Sequence, residues 1–145
     1  MSRKSPTKIG SEFLNLVSEA ANETEGEYSY PKGAPDNLII LTKNYDCYIY
    51  YLVSEAEKKH WWGINESKII WLRECKKKFG IAFLELVTKG YLLRDEMVND
   101  FFYEIKPTEK GVYNFGDNQL QGRNLLPFNS IEEFMGLLSY YKTHE

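Results

Sequence analysis

Apolar positions recur at three-to-four spacing after Gly10-Ser11. Phe13, Leu14, Leu16, Val17, Ala20 and Ala21 form one stripe there, and the period predicts an amphipathic helix. The pattern then changes to short apolar runs bounded by polar turns. Leu38–Leu41 reads as a buried strand, Lys43-Asn44-Tyr45-Asp46 as a hairpin turn, and Cys47–Val53, rich in Tyr and β-branched residues, as the next strand. Residues 54–59 form a charged exit and residues 60–63 a loop. Asn65 caps a second helix expected over residues 66–79, with Ile69, Leu72, Cys75 or Lys76, and Phe79 facing inward and Gly80 ending it. Residues 81–87 form a strongly apolar strand, and a turn at residues 88–90 leads to a further strand at 91–93. Residues 98–105 suit a short helix or strand, and residues 106–127 read as loop from their Pro and Gly signals. Ser130-Ile131-Glu132-Glu133 has the form of a capping box, so a last helix should run from 130 to about 141. The polar, basic residues 1–9 read as a flexible arm and residues 10–145 as one domain, α/β with a mixed central sheet flanked by helices.

Composition narrows the setting. At 145 residues the chain is long enough to bury a core without staples, and 43% apolar with 27% charged residues is ordinary for a globular protein. No apolar run is long enough to span a bilayer, and the amino-terminal residues lack a signal-peptide core. Cys47 and Cys75 give no disulfide framework and read as reduced thiols, which points to a cytoplasmic setting. Two histidines with so few thiols do not suggest a zinc site. The net charge of -3 is not that of a nucleic-acid binder as a whole, but its distribution is uneven. Residues 58–78 carry seven positive and two negative charges, a net of +5, which leaves -8 for the rest.

Asp36 stands at the mouth of the first apolar strand. The order helix, strand, turn, strand, basic loop, helix, strand resembles the PD-(D/E)XK nuclease core, most closely the archaeal Holliday junction resolvases, over about residues 8–93. Gly10-Ser11-Glu12-Phe13, Asp36 followed by Leu38-Ile39, and Gly63-Ile64-Asn65 followed by Ile69 and Leu72 carry the similarity. The resemblance implies a restriction-endonuclease-like core, a first metal carboxylate at Asp36, Mg²⁺ as cofactor, DNA as substrate and a two-fold homodimer. The chain departs from that pattern where the chemistry lies. Leu14 replaces the family's helix Glu, and an ungapped count places its strand Glu on Val53 and its Lys on Glu55. Glu57-Lys58-Lys59 does spell Glu-x-Lys. If the second strand ran on through Lys59, Glu55, Glu57 and Lys59 would share one face, and with Asp36 they would complete a shifted catalytic set; otherwise they form a charged loop.

The leading expectation is therefore a catalytically degenerate nuclease-fold protein that binds DNA, branched or duplex, or an active partner. It needs no cofactor, and only Asp36 is a candidate metal ligand. The candidate DNA contacts are Lys58, Lys59, Lys68, Arg73, Lys76 and Lys77, with Trp61 and Trp62 either stacking on bases or packing in the core. Two alternatives stay open: an active Mg²⁺-dependent endonuclease using Asp36, Glu55, Glu57 and Lys59, and a protein-interaction or inhibitor module of a virus or mobile element that uses the acidic, Tyr-rich body.

Overall fold

The computed structural model describes residues 5–22, 31–54, 59–103, 105–120 and 125–142. Five strands form the central sheet: β1 (Leu38–Leu41), β2 (Cys47–Val53), β4 (Phe79–Leu86), β5 (Lys89–Arg94) and β7 (Leu126–Phe128). Their order is β1-β2-β4-β5-β7, and β2 and β4 are parallel while the other pairs are antiparallel. The connection from β2 to β4 contains β3 (Trp61–Asn65) and α2 (Glu66–Glu74). β3 pairs antiparallel with β6 (Val112–Gly116) in a second, two-stranded sheet. The mixed α/β expectation holds, and β1, β2, β4 and β5 lie close to their expected places.

Side-chain alternation explains the layers. Leu38, Ile40, Tyr50, Leu52, Ile81 and Phe83 point to one face, where they meet Trp62 and Ile64 of β3, Ile69 and Leu72 of α2, and Phe115 of β6. α3 (Val98–Tyr103) and α4 (Asp117–Leu120) close that layer through Phe101, Phe102 and Leu120. Ile39, Leu41, Ile49, Tyr51 and Leu84 point to the other face, against α1 (Pro6–Ala20) and α5 (Ile131–Leu137). A sheet covered on both faces needs nearly continuous apolar strands, as β1 and β4 show.

Several boundaries differ from expectation, each for a local reason. α1 starts at Pro6, so Pro6–Ile9 are helix and not arm; Ser5 Oγ caps the helix by accepting from Lys8 N–H, and Ile9 is buried. Proline in the first turn costs no hydrogen bond, and its fixed φ suits a helix start. α2 stops at Glu74 because Lys76 takes a left-handed φ of 58°, which releases Phe79 and Gly80 into β4. Residues 61–65, expected in part as loop, are strand, with Trp62 and Ile64 inward and Trp61, Gly63 and Asn65 outward. The expected loop at 106–127 contains β6, α4 and the start of β7. The capping box forms at α5: Ser130 Oγ accepts from Glu133 N–H at 3.0 Å, and Glu133 Oε1 accepts from Asn129 N–H at 3.0 Å. Neither Cys47 nor Cys75 is in a disulfide, and among the described residues no helix is long and apolar enough to cross a membrane.

Candidate functional site

Parallel β2 ends at Val53, opposite Leu84, and β4 runs two residues further. Three hydrogen bonds bring the chain back to that end. Ser54 N–H donates to Leu84 O at 2.9 Å, Ser54 Oγ accepts from Trp61 N–H at 2.9 Å, and Trp62 Nε1–H donates to Leu84 O at 3.2 Å. His60 is thereby set beside Glu85, the next residue of β4. The pairing of Trp61 with Gly116 brings Asp117, at the start of α4, opposite His60. Asp117 Oδ2 accepts from His60 N–H at 3.3 Å, and Asp117 Oδ1 lies 3.1 Å from His60 Nδ1. Glu85 Oε1 approaches the same ring nitrogen at 3.7 Å, and Lys89 Nζ lies 3.7 Å from Glu85 Oε2.

This cluster is partly enclosed. Glu85 is only 7% exposed, and His60 and Asp117 are intermediate. Glu85 also sits at an irregularity of the sheet. Leu84 pairs with Gly90 and Leu86 with Lys89, so two steps along β4 match one along β5, a bulge with Glu85 as the extra residue. Burial, and after it the charges of Glu85 and Asp117, pushes the Tyr91 phenol above its usual range. Neither Glu85 nor Asp117 was among the candidate residues of the sequence. A signal did exist for Glu85, the single charge in the run Phe79–Leu86.

The nuclease-like candidates have a different setting. Asp36 is exposed just ahead of β1. Its charge acts on Tyr50, whose phenol is pushed up to about 12, first by burial and then by Asp36. Tyr50 and Leu52 share one face of β2, whereas Val53 packs on the α1 side with Tyr51. Val53 is therefore not the counterpart of Asp36 across the strand pair. β2 ends at Val53, and Lys59 is exposed just ahead of β3; Glu55, Glu57 and Lys58, over which the expected extension would run, lie outside the described residues. The described side chains around Asp36 thus offer one carboxylate, a phenol and a leucine, a set that does not fit the Mg²⁺ implied by the resemblance. A cleft of 310 Å³ lies nearby on the α1 side, lined by neutral residues that include Thr7, Gly10, Ser11, Asn37, Tyr51 and Val53.

Burial of the Tyr50 phenol, with the charge of Asp36 as the smaller cause, has a pH signature. Tyr50 keeps its proton in the folded state up to about pH 12, while the unfolded phenol ionises near 10.0. The stability this contributes is fully present below pH 10 and is lost as pH rises through the interval from about 10 to 12. Tyr50→Phe should flatten that part of the alkaline stability profile in urea titrations. Asp36→Asn should lower the phenol's pKa, followed by tyrosinate absorbance; an unmoved titration would sink the Asp36 contribution.

The candidate DNA contacts separate. Trp62 is core, at 1% exposure, while Trp61 is 47% exposed. Lys59 and Trp61 lie at the end where β2 and β4 finish. Lys76 and Lys77 lie where these strands begin: Lys77 Nζ pairs with Asp46 Oδ1 at 2.7 Å and sits 5.2 Å from the centre of the Tyr48 ring. The length of β4, roughly 25 Å at about 3.3 Å per residue, separates the two groups. Exposed Arg73 and half-buried Lys68 lie on α2. The +5 segment is therefore not one compact patch. Comparison with known proteins gives no match: no family model, no curated protein and no solved structure matches this chain.

Proposed function

We propose that this chain is a nuclease-fold protein that binds DNA and does not cut it at the Asp36 centre. The observation that carries the reading is the arrangement around Asp36. A β1–β2 hairpin leads through a connection containing α2 to the parallel neighbour β4, with α1 on the opposite face. That order, with β3 added ahead of α2, supports the resemblance, and β2 carries Tyr50 and Leu52, not a second carboxylate, on the face it shares with Leu38. Arg73 and Lys76, both exposed on α2 and its exit, supply the phosphate contacts, and the exposed Trp61 supplies a stacking surface at the far end. The two-fold dimer implied by the resemblance belongs to the same proposal and is checked by light scattering.

Gel retardation of a labelled four-way junction and a linear duplex tests this reading. Binding is expected at low salt, falling steeply as salt rises because bound phosphates release counterions. Arg73→Gln combined with Lys76→Gln should reduce the log–log salt slope by about two units. Absence of a shift at low salt would remove the DNA assignment. Cleavage with Mg²⁺ that disappears in Asp36→Ala would remove the non-cutting half.

A further inference from the structure

We infer that His60, Glu85 and Asp117 form a binding site for one divalent transition-metal ion, Zn²⁺ by its ligand chemistry. The inference stands apart from the DNA reading, since it uses neither Asp36 nor the basic residues.

Three different elements deliver the ligands: the residue ahead of β3, the bulge in β4 and the first residue of α4. Their ligating atoms all lie within 4.8 Å of one another. Two of the separations are measured directly, 3.1 Å between His60 Nδ1 and Asp117 Oδ1 and 3.7 Å between His60 Nδ1 and Glu85 Oε1. Atoms coordinated at about 2.0–2.2 Å around a tetrahedral ion are about 3.3–3.6 Å apart, so small side-chain rotations complete the site. Both carboxylates address the same ring nitrogen, Nδ1. A proton on that nitrogen points at one acceptor well, whereas a cation between the three atoms satisfies all of them.

Burial adds a second, independent reason. The Glu85 carboxylate is nine-tenths removed from solvent, and His60 Nδ1 and Lys89 Nζ each lie 3.7 Å from it. Low exposure strengthens the attraction between that carboxylate and a cation held at coordination distance, since little water screens it. The donor set selects the ion. One imidazole nitrogen with two carboxylates suits Zn²⁺, whereas Mg²⁺ prefers an all-oxygen octahedron and sheds water reluctantly. Three protein ligands leave a fourth position for water or another oxygen donor, the pattern of an open zinc site.

Titration of the metal-free 145-residue chain with ZnCl₂, CoCl₂ and MgCl₂ tests the site. One equivalent of Zn²⁺ should bind by calorimetry and raise the melting temperature by about 5–10 °C at a hundredfold excess over Kd, with no shift for Mg²⁺. Co²⁺ should give visible ligand-field bands without a thiolate charge-transfer band, which excludes Cys47 and Cys75 as ligands. Asp117→Asn and His60→Gln should each remove the Zn²⁺ shift while leaving the metal-free melting curve near that of the parent; His144→Gln should leave it intact. Glu85 is buried, so Glu85→Gln is read only alongside its own metal-free melt. No Zn²⁺ shift in the parent protein overturns the site. So does a shift that survives in both Asp117→Asn and His60→Gln, or a Co²⁺ spectrum dominated by thiolate.

Discussion

Gly90→Ala is expected to destabilise the fold by about 3 kcal/mol or more, lowering the melting temperature by about 6–12 °C for a domain of this size. Gly90 lies opposite Leu84 in the centre of the sheet. A Cβ there would fall well inside contact distance of the Phe83 carbonyl oxygen and 3.0 Å from Leu84 Cα. Both are backbone atoms of β4, which is held on one side by β2 and on the other by β5, so neither can move aside cheaply. The close approach belongs to the bulge that carries Glu85. Loss of Gly90 should therefore also displace Glu85 from His60. Gly136→Ala is the matching control: it sits in α5 with nothing within 4 Å of a new Cβ, and should stabilise by about 0.5–1 kcal/mol through helix propensity. Urea denaturation measures both. A Gly90→Ala midpoint equal to the parent's would show that the bulge is looser than this packing requires.

The parts of the fold legible in the sequence are those whose burial repeats over enough residues. Of the expected α1 stripe, Phe13, Val17 and Ala21 are buried while Leu16 and Ala20 are exposed, and β4 is apolar along most of its length because both of its faces are covered. β3 was harder to see. Only Trp62 and Ile64 point inward, Gly63 reads as a loop residue, and the partner β6 lies about fifty residues away in a turn-rich segment. The overrun of α2 has a physical cause too. Cys75 and Phe79 continue the helical spacing, yet the left-handed Lys76 breaks the helix, and Phe79 is buried from the strand that follows. At the amino terminus, polar composition masked the Ser5-Pro6 capping signal.

For the candidate site, position along the chain was legible but face was not. Asp36 could be picked out as an acid ahead of an apolar strand. Whether Val53 or Leu52 shares its side depends on hairpin register, and pairing of Leu38 with Tyr50 puts Leu52 on the Tyr50 face and Val53 on the other. A one-residue difference in register exchanges the two faces. The His60–Glu85–Asp117 cluster is non-local: its members lie 25 and 57 residues from His60 and meet only because β3 pairs with β6 over the end of β4. No spacing rule on a single helix or strand anticipates that.

Trp62→Ala should have the largest effect on stability of any single truncation near that cluster, about 3–5 kcal/mol. The indole is 1% exposed, lies 6.0 Å between ring centres from both Phe83 and Phe115, and donates Nε1–H to Leu84 O. It therefore joins the β3–β6 strand pair to the central sheet by packing and by a hydrogen bond at once. Trp62→Phe separates the two contributions: most of the ring volume stays while the donor is lost, and Leu84 O keeps its bond from Ser54 N–H, so the cost should fall to about 0.5–1.5 kcal/mol, the net contribution of one hydrogen bond. Its neighbour should behave in the opposite way. Trp61 is 47% exposed, and Trp61→Ala should change stability by no more than about 0.5–1 kcal/mol; under the DNA-binding proposal it should also weaken DNA retention, since stacked bases contribute about 1–3 kcal/mol each. Chemical denaturation and gel retardation on the same three variants give the full pattern. If Trp61→Ala proved the more destabilising change, the inward face of β3 would be misassigned, and with it the route by which His60 reaches Glu85.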